Sequence, residues 1–375
     1  MDRNPYTLSS FWNDPADVVL GKGLKPIPAL GCMGGSVIFR TSGTTGVPKW
    51  VVHEKRAMLV SAQAVNAWLE VDPHSKWGRV LSIEHVGGFA ILARVFQAAC
   101  GLAEFDGKWD ASEFHRWLGV ESVTHVSLVP TQVHDLVKAA LPAPRHLRAV
   151  VVGGGCLNDK LGQAARDLGW PVLASYGMTE AGSQIATQAM GHLDKPYGDS
   201  GLTILPIWKV ESDAQERLAI SGEALFRGYI FHDGNNARFE PQLGKTFQTQ
   251  DRGIISQNYL NLLGRMDSLV KVLGVLVDIE AVEKRFLELA AGRVRSENFA
   301  VIALPDLRKE HVLVAVFEGQ IPEEYVEIHQ RLAPKLERFS DVLKTDVFPR
   351  SSLGKLRRGE LVEMCKGMRG IQQDF

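Results

Sequence analysis

The stretch that most constrains this chain is RTSGTTGVPK, residues 40–49, which joins the apolar runs Val37-Ile38-Phe39 and Trp50-Val51-Val52. A tight turn between two strands needs fewer residues and no lysine at a fixed place. Glycines let backbone N–H groups converge on one point, while hydroxyl groups and a lysine add donors and a cation. This inventory suits a polyphosphate, with a plain flexible connection as the alternative. The expected phosphate-binding residues are Thr41, Ser42, Gly43, Thr44, Thr45, Gly46 and Lys49.

The loop is not a Walker A motif. That motif places its lysine directly after a glycine and follows it with serine or threonine. Here Val47 and Pro48 separate Gly46 from Lys49, and Trp50 follows the lysine. A phosphate-binding loop of another kind is therefore expected.

Length and charge restrict the class of protein. The 375 residues, 45% hydrophobic and 23% charged, predict a globular protein of two or more domains. A formal net charge of -1 gives no global reason to expect nucleic acid or an anionic membrane as a partner. The amino terminus does not resemble a secretory signal, and no uncharged apolar run reaches the roughly 20 residues of a membrane helix. The four cysteines lie far apart and predict neither a zinc site nor a redox motif, so a cytoplasmic protein without membrane insertion is expected.

Strand and helix patterns alternate from Ser36 to about Ser175. This alternation predicts an α/β domain with a mostly parallel, helix-covered sheet. After about Gly201, short apolar runs and turn residues predict a small antiparallel β subdomain, and from about Ser268 a small, mobile α+β domain follows. The expected domains are residues 1–266 and 267–375. The strands predicted in the first part are 37–39, 80–83, 125–129, 149–152 and 171–174.

Four further segments follow the loop in a fixed order: YGMTE at 176–180, TQD at 249–251, GRMD at 264–267 and PRSSLGK at 349–355. Together with the loop they resemble the motifs of the AMP-forming acyl- and aryl-CoA synthetases, the adenylate-forming enzymes. The resemblance runs from about residue 37 to the carboxyl end. Taken singly, each segment has a structural interpretation, such as a core aromatic for Tyr176 or a turn former for Asp251. Jointly, those interpretations require five coincidences in one order.

The resemblance implies a role for each matching residue. Tyr176 would pack on adenine, Asp251 and Arg265 would contact the ribose, and Gly274 would contact CoA. The implied catalytic residues are Thr179 for phosphate, Glu180 for Mg²⁺ and Lys355 for the reacting carboxylate and phosphate, and the implied hinge of the small domain is Asp267. Ser175 and Gly154 are added as walls of the site because they follow predicted strand ends, where α/β sheets bind ligands.

The resemblance also implies the reaction. ATP and a carboxylic acid give an acyl-adenylate, and the acyl group then passes to the thiol of CoA with release of AMP. A carboxylate that attacks a phosphate brings two negative charges together, so catalysis depends on positioning and neutralisation. ATP, Mg²⁺ and CoA are the expected small molecules, and no catalytic cysteine is needed.

Two segments bear on the acid. HVGGF from His85 and SLVPTQ from Ser127 resemble the acid pocket of the o-succinylbenzoate-CoA ligases, the menaquinone-pathway branch of this family. Because that acid has two carboxylates, its pocket needs a cation for the one that is not activated. Arg94, in an otherwise apolar helix pattern, is the candidate, and a surface arginine is the alternative.

Three departures keep other functions open. The phosphate loop begins after only about forty residues, Gln250 replaces a glycine, and the apolar segment 271–277 replaces a polar, glycine-rich one. One alternative is another acyl- or aryl-CoA ligase. A second is a nucleotide-binding protein without turnover. A homodimer is also left open.

Overall fold

A computed structural model of the chain describes residues 4–21, 34–41, 49–198, 201–232, 237–306, 308–351, 354 and 356–368. These residues form two compact units. The first extends to Thr249 and includes Ile254–Asn261, and the second contains Gln250–Gly253 and the described chain from Leu262 onward. The domain division expected at residues 266 and 267 and the hinge at Asp267 stay predictions. The predicted residues Ser42, Gly43, Thr44, Thr45, Gly46 and Lys355 lie outside the described residues.

Helices and strands alternate along the chain. The α-helices are α1 (Ser9–Asn13), α2 (Lys55–Trp68), α3 (Val86–Ala98), α4 (Ala111–Glu121), α5 (Pro130–Lys138), α6 (Asp159–Asp167), α7 (Ile279–Leu289), α8 (Glu323–Leu332) and α9 (Arg358–Met368). The strands are β1 (Val18–Leu20), β2 (Ser36–Thr41), β3 (Lys49–Glu54), β4 (Lys76–Arg79), β5 (Gly101–Glu104), β6 (His125–Leu128), β7 (Ala149–Val152), β8 (Val172–Met178), β9 (Ser183–Thr187), β10 (Leu202–Ile204), β11 (Trp208–Ser212), β12 (Arg217–Gly222), β13 (Gly228–His232), β14 (Ala237–Pro241), β15 (Thr246–Ser256), β16 (Tyr259–Arg265), β17 (Leu269–Val272), β18 (Val275–Asp278), β19 (Phe299–Asp306), β20 (Glu310–Glu318) and β21 (Asp341–Thr345). Described residues of β15 and β16 belong to both units.

The largest sheet has the order β11-β12-β15-β16-β10-β9-β8-β7-β6-β4-β5. From β8 to β5 its neighbouring strands are parallel, as the alternating pattern predicts. Strand β7 is AVVV and is buried at every position, because helices cover both faces of a parallel sheet. Val151 packs with α2 and α3 on one face, and Val150 packs with α4 and α5 on the other. The predicted α/β class is confirmed.

One predicted strand is wrong. Residues 80–83 are not a strand, and β4 instead spans Lys76–Arg79. Trp77 of β4 is fully buried, and a Cβ at Gly78 would lie 2.9 Å from Trp117. Residues 76–79 therefore pair with the neighbouring strands, although charged residues stand at both ends. Residues 80–83 lead into α3. Gly88 of this helix packs directly against them, because a Cβ at that position would be 2.2 Å from the carbonyl oxygen of Ser82.

A five-stranded sheet, β1-β2-β3-β13-β14, lies in the same unit. The amino-terminal segment is fixed beside it by Lys55, the first residue of α2. The buried Lys55 ammonium donates to the main-chain carbonyls of Phe11, Asp14 and Ala16 at 2.9, 2.8 and 2.9 Å. Trp12 is buried and stacks on Phe96 of α3. Residues 4–20 therefore belong to the packed structure of the first unit.

The second unit has a three-stranded sheet, β19-β20-β21, and the β17–β18 hairpin. Residues alternate between the two faces of β19. Phe299 and Val301 pack with Phe286 of α7, while Ala300 and Ile302 pack with Leu361 of α9. This small α+β unit has its own apolar core on each face of the sheet. Among the described residues of the whole chain, no helix is both long and apolar enough to cross a membrane.

Candidate functional site

Two neighbouring strands of the five-stranded sheet, β3 and β13, present polar side chains on one face; this pair of strands is called the ribbon below. The strands are antiparallel, and Tyr229 of β13 lies opposite Val51 of β3. Because side chains alternate along a strand, Lys49, Val51 and His53 share a face, and Tyr229 shares that face across the ribbon. Gly228 lets β14 approach β13 closely, since a Cβ there would be 2.2 Å from the carbonyl of Glu240.

The YGMTE segment forms the end of β8 and a short 3-10 turn, Thr179–Ala181. Gly177 is needed for this path, because its Cβ would lie 1.9 Å from the carbonyl of Ser183 at the start of β9. The turn ends at Gly182, whose φ of 65° lies in the left-handed region that favours glycine. The chain therefore reverses within a few residues and leaves Glu180 at the tip.

The ribbon and the residues just before β13 hold this turn by side-chain and main-chain contacts. The hydroxyl of Tyr229 donates to Glu180 Oε1 at 2.8 Å, and Lys49 Nζ lies 3.5 Å from the same oxygen and 4.0 Å from the centre of the Tyr229 ring. The N–H of Phe226 donates to the Glu180 carbonyl at 2.9 Å. The structure thus brings together two predicted residues, Lys49 and Glu180, with the unpredicted Tyr229.

His53 supports the turn from the same face. Its Nε2 donates to the main-chain carbonyl of Thr179, which can only accept. Burial lowers the pKa of His53 from its ordinary 6.5 to about 4, so the ring is neutral at pH 7. Its Nδ1 is buried without a hydrogen-bond partner in the described part of the chain. Burial, with the Glu180 charge beside it, raises the pKa of Tyr229 above its ordinary value, so its hydroxyl remains a donor.

The residues at this turn fit a nucleotide-bound Mg²⁺. Mg²⁺ usually takes one or two carboxylates from the protein and completes its octahedral shell with phosphate oxygens and water. Glu180 offers one carboxylate, with 14% of its side chain exposed. Within the described ranges no cluster of three or more His, Cys, Asp or Glu could hold a metal. A metal at Glu180 would therefore depend on phosphate oxygens and water for most of its ligands.

The predicted cation Arg94 is a buried residue of α3, with 2% of its surface exposed. Its Nη2 donates to the hydroxyl of Ser183 at 2.9 Å, and its guanidinium lies 5.0 Å from the Trp77 ring. Nε and Nη1 are buried and have no hydrogen-bond partner among the described residues. Burial lowers the pKa of Arg94 to about 9, which leaves it charged at pH 7. The alternative of a surface arginine is wrong.

The other predicted residues of the first unit lie on strands, directly after a strand or at the start of a helix. Ser175 on β8 accepts hydrogen bonds from Gln184 at 3.1 Å and Thr187 at 3.2 Å. Ser127 on β6 has a buried hydroxyl without a partner in the described ranges. The remaining positions are Tyr176 in the core of β8, 8% exposed, His85 at the N-cap of α3, Gly154 after β7 with φ 77°, and Thr41 at the end of β2.

The second unit brings together three predicted residues. Arg265 Nη1 lies 3.2 Å from Asp251 Oδ1, and its Nε and Nη2 donate to the two oxygens of Asp267 at 2.8 and 3.0 Å. The predicted ribose contacts and the predicted hinge aspartate are therefore one ion-pair cluster. Gly274 lies elsewhere, at the tip of the β17–β18 hairpin, where its N–H donates to Glu310 at 2.6 Å.

Two residues of the site, His53 and Tyr229, were absent from the sequence prediction. His53 could have been found, because it lies two strand periods after Lys49 and so faces the same way. Tyr229 follows a glycine in an apolar run, and its partner strand is 180 residues away in the chain, so no local pattern pairs it with Lys49. A cavity of about 810 Å³ near Phe226 is lined by none of the predicted residues and was not expected.

Within the α/β fold, Lys49, the last residue of the glycine-rich segment, lies 3.5 Å from the Glu180 carboxylate of the YGMTE turn. A family model described as AMP-binding enzyme matches residues 36–230, more than half of the 375 residues. The chain therefore belongs to the AMP-binding enzyme family.

Similar proteins include two curated relatives named 2-succinylbenzoate--CoA ligase. The one from Staphylococcus aureus (strain JH9) is 27% identical over 337 residues, 87% of this chain and 66% of the relative. The one from Escherichia coli (strain K12) is 29% identical over 311 residues, 82% of this chain and 64% of the relative. The chain thus spans slightly less than two thirds of the length of these relatives.

Two solved structures share the fold. MenE from Bacillus subtilis, o-succinylbenzoate CoA synthetase in complex with the acyl-adenylate OSB-AMP, superposes with a TM-score of 0.74 at 22% identity, covering 87% of this chain and 68% of that one. ATP-bound MatB from Rhodopseudomonas palustris gives a TM-score of 0.73 at 22% identity, covering 88% and 68%. At these identities the likeness establishes the fold alone.

Proposed function

We propose that this protein is an AMP-forming acid-CoA ligase that adenylates o-succinylbenzoate with ATP and Mg²⁺ and transfers the acyl group to CoA, as menaquinone biosynthesis requires. Membership of the AMP-binding family supports the adenylation step. The names of the curated relatives and the OSB-AMP complex of MenE support the choice of acid.

The observation that carries the choice of acid is the state of Arg94. A buried guanidinium without a carboxylate partner is costly, and two of its nitrogen atoms lack hydrogen-bond partners in the described chain. Such a cation is stabilised by an anion that arrives with a ligand. An aromatic acid with a second carboxylate would supply that anion, whereas benzoate or a simple fatty acid would not.

Each predicted residue then has its own role in the adenylation step. Arg94 would hold the carboxylate that does not react, which orients the other one. Glu180 would hold the metal, and Lys49, beside it, would place its cation against the phosphates. Mg²⁺, when bound, neutralises phosphate charge. Thr179 would donate to phosphate, Tyr176 would pack on adenine, Asp251 and Arg265 would bind the ribose, and the phosphate loop and Lys355 would complete the neutralisation.

The second half-reaction is assigned to a different orientation of the small domain, with residues 267–375 turning at Asp267. Lys355 would then matter for adenylation and little for thioester formation, while Gly274 would contact CoA. In this proposal Lys355→Ala abolishes pyrophosphate exchange and leaves thiolysis of supplied acyl-adenylate largely intact. Equal loss of both steps would remove that role from Lys355.

The test is an AMP-release assay with o-succinylbenzoate, benzoate and medium-chain fatty acids, each with and without CoA. Release that depends on o-succinylbenzoate and CoA is the expected result. Release with a different acid would make the protein another acyl- or aryl-CoA ligase. ATP binding with no CoA-dependent AMP formation from any acid would favour a nucleotide-binding protein without turnover.

Two further expectations belong to this proposal. A cytoplasmic location is consistent with the small-molecule substrates, and fractionation of cells that express the protein tests it. A homodimer stays a prediction, which light scattering of the purified protein would decide.

A further inference from the structure

The Glu180 carboxylate is held by two very different donors. The uncharged hydroxyl of Tyr229 donates to Oε1 at 2.8 Å, a normal length for an O–H···O hydrogen bond. Lys49 Nζ lies 3.5 Å from the same oxygen, at the outer limit of a hydrogen bond. The tyrosine is thus the close partner and the lysine the distant one.

The two donors also respond differently to an incoming cation. A divalent metal on Glu180 repels an ammonium group a few ångström away, and nucleotide phosphates attract it. A neutral hydroxyl meets no such repulsion.

The position of Tyr229 is fixed by the fold. Its ring packs against Phe226 at 4.7 Å between centroids, and the N–H of Phe226 donates to the carbonyl of Glu180. Its strand pairs with β3 over four successive residues. The same short segment therefore holds Glu180 by its backbone and by its side chain.

From this geometry we infer that Tyr229 is a positioning residue that keeps the Glu180 carboxylate oriented for nucleotide-bound Mg²⁺, while Lys49 leaves Glu180 for the phosphates. The inference rests on the proposed function, since it requires a metal–nucleotide complex at Glu180. It adds a residue that the sequence motifs described above do not contain.

Tyr229→Phe is the decisive variant, because it removes the hydroxyl and keeps the ring on which Lys49 lies. Calorimetric titration with ATP at a series of Mg²⁺ concentrations, without acid or CoA, measures metal dependence without turnover. We expect the variant to need about a tenfold higher Mg²⁺ concentration to reach half of the maximal association constant for ATP. A tenfold shift is the effect expected from the loss of one hydrogen bond to a charged group. ATP binding in EDTA should be unchanged.

Two controls separate positioning from general stability. Tyr259→Phe alters an exposed tyrosine of the same unit, 43% exposed, and should leave the Mg²⁺ dependence as in the wild type. In the Glu180→Gln background, Tyr229→Phe should cause no further change. A lower urea midpoint with unchanged Mg²⁺ dependence would mean that the hydroxyl is merely structural, and would overturn the inference.

If Tyr229→Phe does not fold, the wild-type sequence still provides a test. Fluorotyrosine incorporated at position 229 should lose its ¹⁹F signal by paramagnetic broadening when Mn²⁺ and ATP bind together, and keep it with ATP alone. An unbroadened signal would overturn the inference. Wild-type protein that binds no Mg·ATP would overturn the proposed function as well, whereas binding without acid activation would contradict the proposed function alone.

Discussion

His53 and Thr179 are joined by a hydrogen bond from the imidazole Nε2 to the main-chain carbonyl, although 126 residues separate them in the chain. A protonated His53 would be a buried cation, and its pKa of about 4 reflects that cost. The strand that carries Lys49 therefore fixes the backbone of the predicted metal-binding turn with a neutral group.

This hydrogen bond predicts acid sensitivity. The pKa of His53 is about 4 when folded and about 6.5 when unfolded, so below pH 6.5 the unfolded chain binds a proton that the folded one does not. Stability should fall by up to about 3 kcal/mol between pH 6.5 and 4 and show no further loss from this group below pH 4. Urea titrations across that range measure the loss, and His53→Gln, which keeps a donor, should reduce it.

His125 provides the matched control for His53. Burial also lowers its pKa to about 4, but its Nε2 contacts the carbonyl of Leu69. His125→Gln should reduce the acid sensitivity similarly without changing Mg·ATP affinity, whereas replacement of His53 should change both. Identical acid profiles for wild type and both variants would contradict the assignment of these neutral histidines.

Arg94→Met should separate stability from substrate binding. The Arg94 guanidinium is buried and has no carboxylate partner among the described residues, so its replacement by the apolar methionine side chain should raise the free energy of unfolding by about 1 to 3 kcal/mol. Affinity for o-succinylbenzoate should fall about 100-fold or more, since a buried charge pair loses one partner. Urea denaturation and calorimetry measure the two effects. Ser183→Ala, which removes a hydrogen-bond partner of Arg94, is the control for loss of orientation, and unchanged acid affinity in Arg94→Met would eliminate the role of Arg94.

Asp267→Asn should affect the thioester step more than stability. The guanidinium of Arg265 contacts both Asp267 and Asp251, so it keeps one carboxylate partner in the variant. The side chains of Arg265 and Asp267 are 36% and 45% exposed, so the free energy of unfolding should change by less than about 1 kcal/mol. CoA-dependent AMP release should fall about tenfold if residue 267 is the hinge, with pyrophosphate exchange much less affected. Equal losses in both assays would place the hinge elsewhere.

Lys55→Met should loosen the amino-terminal segment. The ammonium group supplies three main-chain carbonyls, so its removal should lower the free energy of unfolding by about 3 kcal/mol. Limited proteolysis should then cut first within residues 4–20. Lys209→Met, at a side chain that is 69% exposed, should change neither measurement. Resistance to proteolysis equal to that of the wild type would contradict the anchoring role.

The sequence specified the fold best where physical constraints are local. Strand β7 could be read from four consecutive apolar residues, and Gly177 marks the tight path before Glu180. Strand β4 was not predicted, because the charged Lys76 and Arg79 at its two ends interrupt the apolar pattern of a buried strand. Its burial also depends on Trp117 of α4, which is distant in the sequence. Tyr229 was missed for the same reason, since pairing of β13 with β3 is a tertiary contact that no local period reveals.

Besides the contacts of the Glu180 side chain, two hydrogen bonds hold the main chain of the turn at residues 179–181, one from His53 to the Thr179 carbonyl and one from the N–H of Phe226 to the Glu180 carbonyl. Side chains at positions 179 and 180 can therefore be exchanged while the backbone keeps its path. For directed evolution this makes the two positions attractive for saturation libraries, because altered metal or nucleotide preference could be selected without rebuilding the scaffold.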